Sequence, residues 1–262
     1  MNRHLLICRT IFEHPATTQR SIAAILDSSL GTANRLLHEC IESGYLTADA
    51  SGYQLTDEGH SFLNKYKVDN AVILAAGFGS RFVPLTFETP KGLLEVFHER
   101  MIERQIKQLH EAGVHDITIV VGYLKEKFEY LIDKYGVKLL YNPEYRSKNS
   151  LSSLYHVRHL LKNTYILSSD NWLRKNMYHA YEPGAWYSAP YSEGETAEWS
   201  MAADKKGRVH HITVGGSNTH YMYGPMYLDK ALSEQMVSYL EEYFRRPGTD
   251  NFYRDQFVMD HV

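Results

Sequence analysis

AVILAAGFGSRFVPLTFETPK, residues 71–91, decides how the larger part of this chain is read. Ala71, Val72, Ile73 and Leu74 form a short run with no polar residue, as a strand buried on both faces of a parallel sheet does. The run passes straight into AAGFGSR at 75–81, then PLT at 84–86 and TPK at 89–91. Gly77 and Gly79 after such a strand let backbone N–H groups approach an anion, the concavity that phosphate sites use. Arg81 and Lys91 add two fixed cations at the same strand end. The loop is not the dinucleotide fingerprint, because Phe82 stands where a third glycine is required. It is not a Walker loop either, because no Gly-Lys-Ser/Thr closes it.

Downstream, strand and helix patterns alternate. A helix over 99–111 carries Met101, Ile102, Ile106 and Leu109 on one side and stops at Gly113. A strand over 116–121, a helix over 125–134, a strand over 137–141, a helix over 151–161 and a strand over 165–169 follow. The alternation predicts a parallel, doubly wound α/β sheet. In such sheets ligands sit at the carboxyl ends of strands. The last of these strands ends at Asp170, where a carboxylate facing a phosphate loop suits Mg²⁺, which takes one or two protein carboxylates with substrate phosphates and water. Capping of a following helix is the other use of that residue. Beyond residue 185 shorter strands rich in aromatics appear, with helices over 229–245 and from about 251.

Upstream the pattern differs. Leu5, Leu6, Ile7, Ile11 and Phe12 form a helical stripe, followed by a short helix after Thr18. A third helix, capped by Ser28 or Ser29, buries Ala33, Leu36, Leu37, Cys40 and Ile41. A small hairpin turns at 51–52, and Thr56 caps a last helix. This order resembles the winged helix-turn-helix fold of many bacterial regulators, which predicts domains at 1–67 and 68–262. The resemblance implies DNA as a partner, through Thr32, Asn34, Arg35 and His38. Against that, Arg3, Arg9, Arg20, Arg35, Lys65 and Lys67 are balanced by Glu13, Asp27, Glu39, Glu42, Asp49, Asp57 and Glu58, so phosphate attraction is not provided for. A scaffold or dimerisation module is the alternative, and both stay open.

Composition sets outer bounds. The chain has 262 residues, 44% hydrophobic and 23% charged, which is globular rather than disordered. A net charge of −3 argues against a strongly basic nucleic-acid binder. No run approaches a membrane span and the N-terminus has no secretion pattern, so the expected location is the cytoplasm. Cys8 and Cys40 read as core thiols. The scattered histidines show no zinc spacing.

The stretch 74–91 resembles the nucleotidyltransferase pattern L-A-A-G-x-G-S-R-x-x-P-L-T-x-x-x-P-K, matching every fixed position. Later short matches at 121–124, 135–137, 141–142, Asn149, 153–155, 157–158, 169–171, 198–199 and 252–255 resemble the bacterial CTP:phosphocholine cytidylyltransferases. The resemblance implies a Rossmann-like nucleotidyltransferase domain acting on CTP and phosphocholine with Mg²⁺. It assigns Ala75, Ala76 and Gly77 to the base and ribose, and Gly79, Ser80 and Arg81 to the triphosphate. Lys91 falls at the reacting phosphates, Asn149 in the nucleotide-reading segment, and Asp170 and Asp255 on the metal. Arg254 stands before that second acid, where the family usually carries Trp. The aromatics after residue 180 suit a cation–π cage for a trimethylammonium, with Trp199 first and Tyr187 and Tyr223 beside it. Two other readings share these features: a sugar-1-phosphate nucleotidyltransferase using UTP or dTTP, and a nucleotide-sensing transcriptional regulator.

Overall fold

The computed structural model of the protein describes residues 2–50 and 52–260; Ser51 of the expected turn and residues 261–262 of the expected second domain lie outside them. The chain divides into two compact units, Met1–Val68 with Ala180–Gly184, and Asp69–His179 with Ala185–Val262.

In the first unit α1 (Arg3–Glu13), α2 (Gln19–Ile25) and α3 (Leu30–Glu42) precede a hairpin of β1 (Leu46–Asp49) and β2 (Gly52–Leu55), and α4 (Asp57–Asn64) follows. Each helix starts where a side-chain oxygen takes an otherwise orphaned backbone N–H: Asn2, Thr18, Ser29 and Thr56 accept from Leu5, Ser21, Thr32 and Gly59. Ala33, Leu36, Leu37 and Cys40 line the buried face of α3 at helical spacing and meet Leu5, Cys8, Ile11 and Leu63. Ala180–Gly184, from far along the chain, packs with this unit. The Val68 amide donates to the Ala180 carbonyl, and the Glu182 amide to the Tyr66 carbonyl, both at 2.9 Å. The Tyr181 ring stands edge-on to Phe12 with centroids 5.1 Å apart. Arg9 Nη1 donates to the Tyr181 carbonyl at 3.1 Å and to the Glu182 carboxylate at 3.3 Å. A segment returning from so far along the chain leaves no mark in local composition.

The second unit runs β3 (Asn70–Ala75), β4 (Glu95–Val96), β5 (Glu99–Arg100), α5 (Met101–Glu111), β6 (Ile117–Val121), α6 (Tyr130–Tyr135), β7 (Lys138–Tyr141), α7 (Ser150–Val157) and β8 (Thr164–Ser168). It continues with β9 (Trp186–Tyr187), β10 (Tyr191–Ala203), β11 (Val209–Tyr221), β12 (Met226–Leu228), α8 (Lys230–Tyr243) and α9 (Gln256–Asp260). Six strands form one Rossmann-like sheet in the order β7-β6-β3-β8-β12-β9. β7, β6, β3 and β8 are parallel, while β12 pairs antiparallel with both β8 and β9. The sheet is therefore mixed, with an antiparallel flank on a doubly wound core, a common arrangement. Val72, Leu154, Ile166, Met236, Leu240 and Phe257 build the core on the α7–α8 side. Among the described residues β10 and β11 pair only with each other, and the hairpin curls: Ser200 pairs with both Thr213 and Tyr221, and Met201 with both Ile212 and His220. The register that matters for function pairs Ala75 with Val121, Val121 with Tyr141, and Leu74 with Ser168. All four parallel strands thus release their loops at one edge.

Candidate active site

A cleft of about 540 Å³ opens at that edge. Its wall begins with the loop after β3, where Ala76, Gly77, Phe78, Gly79, Ser80, Arg81 and Phe82 all contribute. Gly79 adopts a left-handed φ of 65° and starts a single 3₁₀ turn, Ser80–Phe82. A Cβ on it would also lie 3.0 Å from the Thr86 methyl and 3.3 Å from Lys91 Cβ. Both conditions call for glycine. Arg81 is exposed, and Ala75 is buried in β3 rather than on the cleft wall.

Lys91 reaches the cleft through a second close approach. A Cβ on Gly92 would lie 2.6 Å from Ser169 Cβ, so the backbone after Pro90 rests directly on the end of β8. That contact sets Lys91 beside Asp170, and its ammonium donates to Asp170 Oδ2 in an ion pair between two partly buried side chains. The same ammonium lies 4.4 Å from the centroid of the Phe82 ring.

The third wall comes from the loop after β7 and the start of α7. Asn142, Tyr145, Arg146, Lys148, Asn149 and Ser150 line the cleft. Asn149 caps α7, its Oδ1 accepting from the Ser150 amide at 2.9 Å, and its own amide donates to the Asp250 carbonyl at 2.7 Å. Those bonds draw the segment before α9 across the cleft, bringing Asn251, Tyr253, Arg254 and Asp255 onto its wall. Asp255 Oδ1 accepts from the Tyr187 hydroxyl at 2.7 Å and from Arg254 Nε at 3.3 Å. Burial foremost, and the Asp255 charge next, push the Tyr187 hydroxyl far above its ordinary value, so it stays protonated and donates. Arg254 is only 3% exposed; Nη2 donates to the Gly224 carbonyl at 2.5 Å, and Nη1 has no partner among the described residues.

The structure thus brings Ala76, Gly77, Gly79, Ser80, Arg81, Lys91, Asn149, Asp170 and Asp255 to one cleft. The three aromatics expected as a cage do not line it. Tyr187 bonds Asp255, and Tyr223 offers its carbonyl to Asn171 and its ring edge to Tyr221. Trp199 packs perpendicular to Tyr253 with centroids 6.0 Å apart, and Tyr253, half exposed, does line the cleft. Tyr253, Phe78 and Tyr145 were not singled out from sequence. The rule that ligands gather at strand ends, applied after β7, would have marked Tyr145.

Among the described residues no group of three or more His, Cys, Asp or Glu gathers as a metal site. Mg²⁺ asks for less: one or two carboxylates, the rest of its octahedron coming from phosphate and water. Asp170 and Asp255 supply hard oxygen donors on one cleft, and each here faces a cation, Lys91 or Arg254. The donor chemistry fits the ion.

Comparison with known proteins points to the family and the fold. Residues 70–190 match the family model described as Nucleotidyl transferase. A choline-phosphate cytidylyltransferase of Streptococcus pneumoniae is 38% identical over 192 residues, covering 73% of this chain and 84% of the relative. A 2-aminoethylphosphonate cytidylyltransferase of Lancefieldella rimae is 35% identical over 200 residues, covering 74% and 80%. The solved structure of the CTP:phosphocholine cytidylyltransferase LicC from Streptococcus pneumoniae superposes with a TM-score of 0.71 at 39% identity, covering 73% of this chain and 84% of that one.

Proposed function

This chain belongs to the bacterial choline-phosphate cytidylyltransferase family of nucleotidyltransferase enzymes, and from that premise we propose that it transfers the cytidylyl group of CTP to phosphocholine. The observation that carries the reading is the convergence of the Gly77–Gly79 loop, Arg81, Lys91, Asp170 and Asp255 on one cleft.

An acceptor phosphate is already ionised at neutral pH, its second pKa lying near 6, so no general base is required. One of its oxygens attacks the α-phosphorus of CTP, forming a new P–O bond. The bond from that phosphorus to the bridging oxygen breaks, and pyrophosphate leaves with the electron pair. The obstacle is mutual repulsion of two anions and the charge on the leaving group, which positioned cations relieve. Lys91 would leave Asp170 to neutralise the α-phosphate, while Arg81 and the loop amides hold the β- and γ-phosphates. Asp170 and Asp255 would hold Mg²⁺, whose charge neutralises the phosphates when bound. We assign the trimethylammonium to the face of Tyr253, which lines the cleft beside Arg254 and Asp255 and is supported from behind by Trp199. CTP as donor and the two buried free thiols, Cys8 and Cys40, suit a cytoplasmic enzyme.

The test is a panel of CTP, UTP and dTTP against phosphocholine, 2-aminoethylphosphonate and glucose 1-phosphate, scored by pyrophosphate release. CTP with phosphocholine is the expected best pair. Preference for a sugar phosphate with UTP or dTTP would replace this reading. The first unit we read as a winged helix-turn-helix module, α2 and α3 forming the helix pair and β1–β2 the wing.

A further inference from the structure

We infer that Arg254 is the group that grips the acceptor's phosphoryl or phosphonate end, an inference resting on the cytidylyltransferase reading above. A guanidinium presents five N–H donors in a fixed fork, suited to two oxygens of a tetrahedral anion. In Arg254 the fork is held at two points and the backbone at a third. The backbone amide donates to Ser150 Oγ at 3.0 Å, Nε to Asp255 at 3.3 Å and Nη2 to the Gly224 carbonyl at 2.5 Å. The remaining group, Nη1, is enclosed and has no partner among the described residues. The guanidinium charge is matched by Asp255, but an N–H donor left without an acceptor away from water is unfavourable, and an anionic oxygen brought to Nη1 would satisfy it.

Arg254 is paired with Asp255, and Arg146 and Lys148 also line the cleft, but among these cations Arg254 is the one whose enclosed Nη1 has no partner among the described residues. Lys91 is matched by Asp170, and Arg81 is exposed on the glycine loop that suits the triphosphate. The neighbouring residue adds the orientation. Tyr253 is 50% exposed while Arg254 is 3% exposed, so consecutive residues offer an open aromatic face and an enclosed guanidinium. A small zwitterion with a tetrahedral dianion at one end and an ammonium at the other satisfies both if it enters phosphorus first. Phosphate monoesters and phosphonates share that end, and either could supply it.

Steady-state kinetics of wild-type, Arg254→Gln and Arg254→Lys full-length protein test the assignment, with phosphocholine and 2-aminoethylphosphonate as separate acceptors. Loss of one charged hydrogen-bonding partner predicts a rise in acceptor KM of about tenfold to a hundredfold for Arg254→Gln. The KM for CTP should stay within about twofold, and Arg254→Lys should recover part of the acceptor KM, because a point charge replaces the fork without its geometry. The acceptor on which wild type is faster tells ester from phosphonate. Thermal unfolding by circular dichroism checks that each variant is folded. If Arg254→Gln does not fold, Arg254→Lys decides alone, and an unchanged acceptor KM overturns the assignment. Parallel rises in both KM values, the mark of a structural role, also overturn it. If wild type prefers another triphosphate, the cytidylyl reading fails while the Arg254 comparison is run with that triphosphate. If no turnover is seen, calorimetric titration of each acceptor in the presence of CTP replaces kinetics, and equal or absent binding in wild type and Arg254→Gln overturns the inference.

Discussion

Lys91 and Asp170 neutralise each other across the cleft, and each is the other's main partner. Removing Lys91 therefore deletes a phosphate contact and also releases an uncompensated carboxylate. Lys91→Ala is expected to lower kcat by about 10²–10³, the typical loss for one transition-state electrostatic contact. Pyrophosphate release at saturating substrates measures it, and wild-type turnover would refute the role. A second prediction follows from Gly92. A methyl group there would lie 2.6 Å from Ser169 Cβ, pushing apart the two segments that carry Lys91 and Asp170. Gly92→Ala should lower kcat more than about tenfold, and adding Ser169→Gly should restore much of it. Steady-state rates of the single and double variants decide whether the steric explanation holds. At this scale the sequence was informative about the cations, because fixed spacing from a buried strand places Arg81 and Lys91 at its end. It was silent on Arg254 Nη1, whose unpaired state depends on Gly224 and Ser150, both distant in the chain.

Secondary-structure elements were read well wherever burial was two-sided. β3, β6 and β8 are mostly apolar and buried along nearly their whole length, as strands covered on both faces are. Aromatic-rich strands misled, because Tyr favours strands whatever it faces. Tyr227 is 1% exposed in the core and Trp186 packs on Tyr165, so density between residues 180 and 230 reports packing more than a cage. The curl of β10 and β11 arises from register shifts that no periodicity reveals. On α5 one buried acid can be tested directly. Burial would raise the Glu103 pKa, but the Lys134 ammonium and the hydroxyls of Tyr135 and Tyr130 outweigh it and hold the carboxyl at about 2, against an ordinary 4.5. Because the folded value is depressed, the stabilisation is complete above pH 4.5 and is lost as the pH falls towards 2, where the native carboxylate also takes up a proton. The loss is on the order of 3 kcal/mol at most. Urea midpoints at pH 7 and pH 3 should differ less for Glu103→Gln than for wild type, and an equal difference would exclude this source.

For the whole molecule, the first unit depends on a piece of chain far from the rest of it. Tyr181 is 8% exposed, sits in the same apolar cluster as Leu5 and Leu63, and meets Phe12 edge-on. Tyr181→Ala should destabilise that unit by about 3 kcal/mol, the usual loss for a large buried aromatic. Differential scanning calorimetry should show the transition of that unit shifting down while kcat for cytidylyl transfer is kept. The same residues argue about DNA. With Glu182 added, acids outnumber Lys and Arg in the unit, and Arg35 on α3 is tied to Glu39 at 2.5 Å. Gel retardation on non-specific duplex at physiological salt should therefore show no shift at micromolar protein. The return of Ala180–Gly184 also imposes a timetable during synthesis. At about 5–20 residues per second, roughly ten seconds pass between the ribosome's completion of α4 and the emergence of Tyr181. Until then the nascent helices leave open the apolar face that Tyr181 covers in the folded unit.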